Sequence, residues 1–63
     1  MTELERLYQN MADVLEQGVA DVNKFQDGNM SAGTRVRKNM QIIKDLAQKV
    51  RVAVQEQKNA VAN

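Results

Sequence analysis

Apolar and small residues recur at alternating steps of four and three along the first part of the chain, which is the spacing of one α-helix face. Thr2 and Glu5 have the spacing of a capping box, so a helix is predicted to begin at about residue 3. Gly18 lies within the stripe, where glycine weakens a helix by about 1 kcal/mol relative to alanine, and we interpret it as a close helix crossing. The stripe consists of Leu4, Tyr8, Met11, Leu15, Gly18, Val22 and Phe25, widened by Leu7 and Val14.

A turn is predicted at residues 26–29. Gly28 suits the left-handed position that ends a helix, and Asn29 is a strong N-cap for the next one. Ser31 and Thr34 are competing N-caps, and Asn29 is favoured.

A second apolar seam follows in strict heptads, which indicates a long helix over about residues 30–60. At 1.5 Å per residue this helix would be about 46 Å long, against about 36 Å for a first helix over about residues 3–26. The seam consists of Val36, Met40, Ile43, Ala47, Val50, Val54, Gln57 and Val61, with Ile42, Leu46, Val52 and Ala53 outside it.

The composition agrees with a helical chain. Its 63 residues contain no proline, three glycines and only two aromatic residues, Tyr8 and Phe25. We therefore expect one all-α domain over residues 1–63, an antiparallel helical hairpin. A core of this size rarely supplies more than about 3–5 kcal/mol. The small core and the unequal helices predict assembly into a dimeric four-helix bundle or a larger coiled-coil-like oligomer, as a homodimer or homotetramer.

Several classes of function are disfavoured. The chain has no histidine and no cysteine, so it lacks imidazole and thiolate ligands, disulfides and an ordinary general base. We expect no enzyme activity, no metal, no cofactor and no small-molecule substrate. No apolar run approaches the length of a membrane span, and the acidic start is unlike a secretory signal, which predicts a cytoplasmic protein.

Charge divides the chain into two halves. Residues 1–30 hold six acids and two bases, whereas residues 31–63 hold seven bases and two acids. A polyanion or an acidic surface would suit the second half, and the alternative is pairing between an acidic and a basic helix. Four bases at seven-residue spacing form one row beside the seam, namely Arg37, Lys44, Arg51 and Lys58. Such a row is also typical of a solvated helix flank.

The densest basic segment is Thr34-Arg35-Val36-Arg37-Lys38, which follows the small residues Ser31, Ala32 and Gly33. Small side chains would leave the first amides of the second helix open to a phosphate, which the helix dipole also attracts. The alternative for Gly33 is a tight contact with Phe25 across the hairpin.

The segment from residue 24 to 58, and above all Gly28-Asn29-Met30-Ser31-Ala32-Gly33-Thr34-Arg35-Val36-Arg37-Lys38, resembles the small bacterial histone-like proteins related to the chlamydial linker-histone-like nucleoid protein. Their pattern is a glycine-asparagine turn, small residues and an Arg-x-Arg step that opens a long charged helix. The resemblance implies nucleoid compaction and DNA binding without sequence specificity, carried by Arg35, Arg37 and Lys38. The chlamydial members also have a long lysine- and alanine-rich tail, and no such segment occurs within these 63 residues.

The functional prediction is therefore a histone-like, nucleoid-associated protein whose partner is the phosphate backbone of double-stranded DNA. The predicted DNA-binding residues are Arg35, Arg37, Lys38, Lys44, Lys49 and Arg51. RNA carries similar phosphates, and the sequence pattern alone does not distinguish DNA from RNA as the partner. The main alternative is a helical-hairpin interaction module or small chaperone without nucleic-acid binding. A membrane-surface helix is a third option, disfavoured by the lack of tryptophan and by the acids of the first half.

Overall fold

The computed structural model describes residues 1–62, which form two α-helices, α1 (Glu3–Gln26) and α2 (Met30–Ala62). Cross-helix contacts pair Asp21 with Arg35 and Val14 with Asn39, so the helices run antiparallel as a hairpin. The all-α prediction is confirmed, since this part of the chain contains no strand. The predicted start and end of α1 and the start of α2 are confirmed, and α2 continues two residues past its predicted end.

A capping box opens α1, as predicted. The backbone N–H of Glu5 donates to Thr2 Oγ1 at 3.1 Å, and the backbone N–H of Thr2 donates to Glu5 Oε1 at 3.0 Å. Because the Glu5 carboxylate accepts the hydrogen bonds from Thr2, the pKa of Glu5 lies below its ordinary value of 4.5. The first turn of α1 is therefore held by its own side chains.

The turn between the helices is a Schellman motif. Gly28 has a φ of 103°, in the left-handed region that favours glycine. The Asn29 N–H donates to the Lys24 carbonyl and the Gly28 N–H to the Phe25 carbonyl, both at 3.0 Å. Asn29 then caps α2, since its Oδ1 accepts from the Ala32 N–H at 3.2 Å. The predicted roles of Gly28 and Asn29 are confirmed.

The interface between the helices is narrow. Among the residues whose burial is described, Leu7 and Ala32 are the fully buried apolar ones, at 3% and 0% exposure. Gly18 is also buried, and a Cβ there would overlap the Asn39 amide. The Asn39 Nδ2 donates to the Val14 carbonyl at 2.9 Å. The prediction of a close crossing at Gly18 is confirmed, and a polar side chain occupies the crossing.

The face of α1 that contacts α2 is rotated from the predicted stripe. Leu7, Val14 and Gly18 face α2, whereas Tyr8 and Leu15 are 65% and 49% exposed. Two neighbouring heptad rows of α1 are apolar, and a single partner helix covers only one of them.

The predicted seam of α2 is covered only in part. Val36, Ile43 and Val50 are partly buried as predicted, whereas Met40, Gln57 and Val61 are exposed. Leu46 and Ala53, predicted outside the seam, are partly buried in the same heptad row as Asn39, which occupies the crossing.

The hairpin is elongated, with extents of 54 × 18 × 11 Å. Neither helix of residues 1–62 combines the length and the apolar character that crossing a bilayer requires.

Candidate functional site

The most distinctive polar feature is a row of four bases along one edge of α2, which we call the basic row: Arg37, Lys44, Arg51 and Lys58. Seven-residue spacing separates neighbours by about 10.5 Å, and the whole row is about 32 Å long. All four are exposed. Arg51 borders the groove that contains Tyr8 and Leu15, and Lys58 borders the one that contains Leu4 and Val61. One edge of the hairpin therefore presents a regular line of cations.

The other predicted DNA-binding residues lie on the opposite flank of α2. Lys49 borders a groove with Glu3, Val52 and Glu56, and Lys38 shares this side by helical spacing. The two acids of α2, Asp45 and Glu56, lie on this same flank by that spacing. The structure thus divides the six predicted residues between two sides, and the side of the basic row carries no acid of α2.

Arg35 has a partner within the hairpin. Its Nε donates to Asp21 Oδ1 at 2.9 Å, with side-chain exposures of 48% and 24%. This pair joins α1 to α2 near the turn. Residues 1–62 contain two ion pairs. The pair between Arg35 and Asp21 joins the two helices, and the pair between Arg6 and Glu3 lies within α1.

The remaining bases of the predicted set have no carboxylate within ion-pair distance in the described part of the chain. These bases are Arg37, Lys38, Lys44, Lys49 and Arg51. Of the six predicted residues, only Arg35 is therefore neutralised by an acid of the other helix within residues 1–62. The charges of the remaining five bases are available to an external anion.

The start of α2 is less open than its small residues suggest. Ala32 is fully buried against α1, and its amide is already bonded to Asn29. An ideal Cβ on Gly33 would lie 2.6 Å from Phe25 Cδ1, so the Phe25 ring covers this glycine. The alternative explanation of Gly33, a tight contact with Phe25, is confirmed, and the small residues serve the packing of the turn.

Beside the basic row lies an apolar surface that the hairpin leaves uncovered, which we call the open face. Its exposed α1 residues, Tyr8, Leu15 and Val22, are spaced by seven. One groove connects Tyr8 and Leu15 to Ala47 and Val50 of α2. A second groove, nearer the end of α2, connects Leu4 to Val54 and Val61. Met40 shares this side by helical spacing. The apolar stripe predicts that the α1 row is buried, whereas in the structure the row is exposed and forms part of an open surface.

The described residues contain no cluster of three or more acidic, cysteine or histidine side chains suited to a metal ion. Their grooves are open and mainly apolar, without a convergent set of polar groups. The chemistry of the surface is therefore that of cations and apolar side chains.

The family model described as histone H1-like protein Hc1 matches residues 5–60, which include nearly all of both helices and the turn. Comparisons with curated proteins and with solved structures gave no match.

Proposed function

The chain belongs to the histone H1-like protein Hc1 family, and from that premise we propose that it binds duplex DNA through phosphate contacts without sequence preference. A histone-like family agrees with the sequence resemblance and gives no indication of catalysis. The observation that carries the proposal is the basic row, whose exposed bases have no ion-pair partner within residues 1–62.

The dimensions of the basic row suit a nucleic-acid backbone. Its length of about 32 Å is close to one helical turn of DNA, about 34 Å. Duplex DNA carries one negative charge per about 1.7 Å of its axis, so a row of cations of this length faces a high density of negative charge. A rigid helix also loses less conformational entropy on binding than a disordered basic segment would.

We do not expect this surface to recognise a particular nucleotide sequence. The row is straight, its side chains are long bases, and the hairpin has no further element to fix a helix in the major groove. Phosphate contacts dominate instead, and affinity should be nearly equal for unrelated duplexes.

The six predicted residues are proposed to contribute unequally. Arg37, Lys44 and Arg51 share one edge and form the main contact. Lys38 and Lys49 form a secondary surface, weakened by the acids beside them. Arg35 must first leave Asp21, so its contribution is smaller.

Self-association would raise the affinity of this surface. With about three to five phosphate contacts per chain, a single hairpin binds weakly at physiological salt. A dimer or tetramer carries two or four basic rows, and it gains affinity through multivalency when these rows contact different segments of one long DNA at the same time. Compaction of DNA, and with it a location in the nucleoid, is proposed to depend on this assembly.

Arg37→Ala tests the basic row. The variant should bind every duplex more weakly and lower the slope of log K against log salt by about 0.9, because one phosphate contact is lost. Fluorescence anisotropy with a labelled random duplex at several salt concentrations measures both quantities. Arg6→Ala is the matched control, since it removes the same charge from a residue paired with Glu3 on α1.

Equal losses of DNA affinity in the two variants would show that affinity depends on the net charge of the chain and not on the position of the basic row. Unchanged binding in Arg37→Ala would remove the row from the interface. If the unmodified chain binds no duplex at all, the open face supports the alternative of a protein interaction module.

A further inference from the structure

The open face concentrates the exposed apolar residues on one side of the hairpin. Tyr8, Leu15 and Val22 of α1 are 65%, 49% and 42% exposed, and Met40 of α2, which shares this side by helical spacing, is 46% exposed. The opposite side has only two comparable residues on α2, Ile42 and Val52. Soluble proteins rarely leave a continuous apolar side of this kind uncovered.

The surface area of the chain indicates how much is left to bury. Its accessible surface is 5132 Å², whereas a compact monomer of this mass exposes about 4,100 Å². Its radius of gyration is 15.3 Å, against about 10.6 Å for a compact domain of this length. The excess, on the order of 1,000 Å², is similar to the roughly 800 Å² that each partner buries in a stable interface.

We propose that a second copy of this chain covers the open face, with α1 of each copy packed antiparallel against α2 of the other. The seven-residue rows on the two helices have the same spacing of about 10.5 Å, so an identical chain offers the matching repeat that knobs-into-holes packing needs. The twofold axis of this dimer runs parallel to the helices, and all neighbouring helices in the bundle are antiparallel.

In the other twofold arrangement, α1 packs against α1 and α2 packs against α2. Charge favours the pairing of α1 with α2 over this alternative. α1 holds five acids and two bases, and α2 holds seven bases and two acids. Packing α2 against α2 would place two basic rows side by side, which is repulsive. Packing α1 against α2 places helices of opposite net charge together. The bases of the row lie at the rim, where their aliphatic stems cover apolar surface and their charges stay in water.

This dimer would carry its two basic rows on opposite sides. Such a particle joins two DNA segments, whereas the arrangement with adjacent α2 helices would present both rows to one duplex. This consequence rests on the proposed DNA binding, but the interface itself does not.

Leu15→Glu tests the interface in the absence of DNA. Sedimentation equilibrium should show a dimer for the unmodified chain and at least a tenfold weaker association for the variant. Ile42→Glu is the matched control, because Ile42 is 45% exposed on the opposite side and should leave association unchanged. Equal dimerisation in Leu15→Glu, or equal loss in both variants, would overturn the assignment of the open face.

Cysteine pairs test the helix pairing, and the chain has no cysteine of its own. Asn39 lies level with Gly18 and Arg35 with Asp21, so Lys44 is level with Ala12. When Ala12→Cys and Lys44→Cys chains are mixed and oxidised, the mixed disulfide should predominate. Predominance of either homodisulfide would overturn the pairing, and this readout does not depend on whether Leu15→Glu folds.

Bridging is measured last, by capturing a labelled duplex on a second, immobilised duplex. The unmodified chain should capture it and Leu15→Glu should not. Failure of all DNA binding would refute the proposed function and leave the dimer standing, whereas DNA binding without capture would refute the opposed arrangement of the basic rows.

Discussion

At the residue scale, the chain distributes its charged side chains between fold and surface. Arg35 and Asp21 connect the helices, and Glu5 holds the first turn of α1. The basic row has no such structural role in the described residues. Substitutions of the row should therefore change binding with little effect on stability, whereas substitution of Arg35 should change both.

Glu5→Gln should alter how stability depends on pH. The folded-state pKa of Glu5 is lowered by its bonds to Thr2, so this carboxylate stabilises the fold fully above its ordinary pKa of 4.5 in the unfolded chain. That contribution is lost as the pH falls through the lower folded pKa. Urea unfolding followed by circular dichroism from pH 6 to pH 2.5 should show this decline in the unmodified chain and a shallower one in the variant.

The same pH dependence of stability in the unmodified chain and in Glu5→Gln would contradict this role of Glu5. Glutamine still fits a capping box, so the helix start is kept and only the titration is removed.

At the element scale, the helix limits could be predicted because their signals are local. Thr2, Glu5, Gly28 and Asn29 act through bonds to residues three to five positions away. Each of these signals can be identified in a short stretch of sequence, without knowledge of the partner helix.

The rotation of α1 could not be predicted in the same way. Its apolar stripe spans more than one heptad row, and the part of the stripe that is covered depends on contacts with α2. Asn39 was missed because an asparagine in a helix usually faces water. A signal was present, since Asn39 lies three residues after Val36 and four before Ile43, which places it beside the seam on the same side of α2.

A double-mutant cycle tests the contact between Gly18 and Asn39. Gly18→Ala gains about 1 kcal/mol in helix propensity but displaces the Asn39 amide and its bond to Val14, worth about 0.5–1.5 kcal/mol. Alone it should be nearly neutral, and in an Asn39→Ala background it should stabilise by about 1 kcal/mol. Chemical unfolding measures the coupling.

Gly18→Leu extends this test, and it should destabilise the hairpin by overpacking. A leucine variant with unchanged assembly and higher stability would show that nothing packs closely at this position.

At the scale of the whole molecule, folding and assembly are expected to be linked, because only two apolar residues of the described chain, Leu7 and Ala32, are fully buried. For a dimer, tenfold dilution removes about 1.4 kcal/mol of stability and should lower Tm by about 5 °C. Thermal melts at 5 and 50 µM would detect this shift. A concentration-independent Tm together with a sedimenting monomer would contradict self-association.

The chain belongs to the histone H1-like protein Hc1 family, and we propose that it binds DNA by neutralising phosphates. The most direct measurement is the affinity of the unmodified chain for two unrelated random duplexes at about 50 and about 200 mM salt. Three to five contacts per chain predict a loss of about 40- to 500-fold between these salt concentrations, and nearly equal values for the two sequences. No binding at about 50 mM salt, or a strong preference for one sequence, would contradict the account.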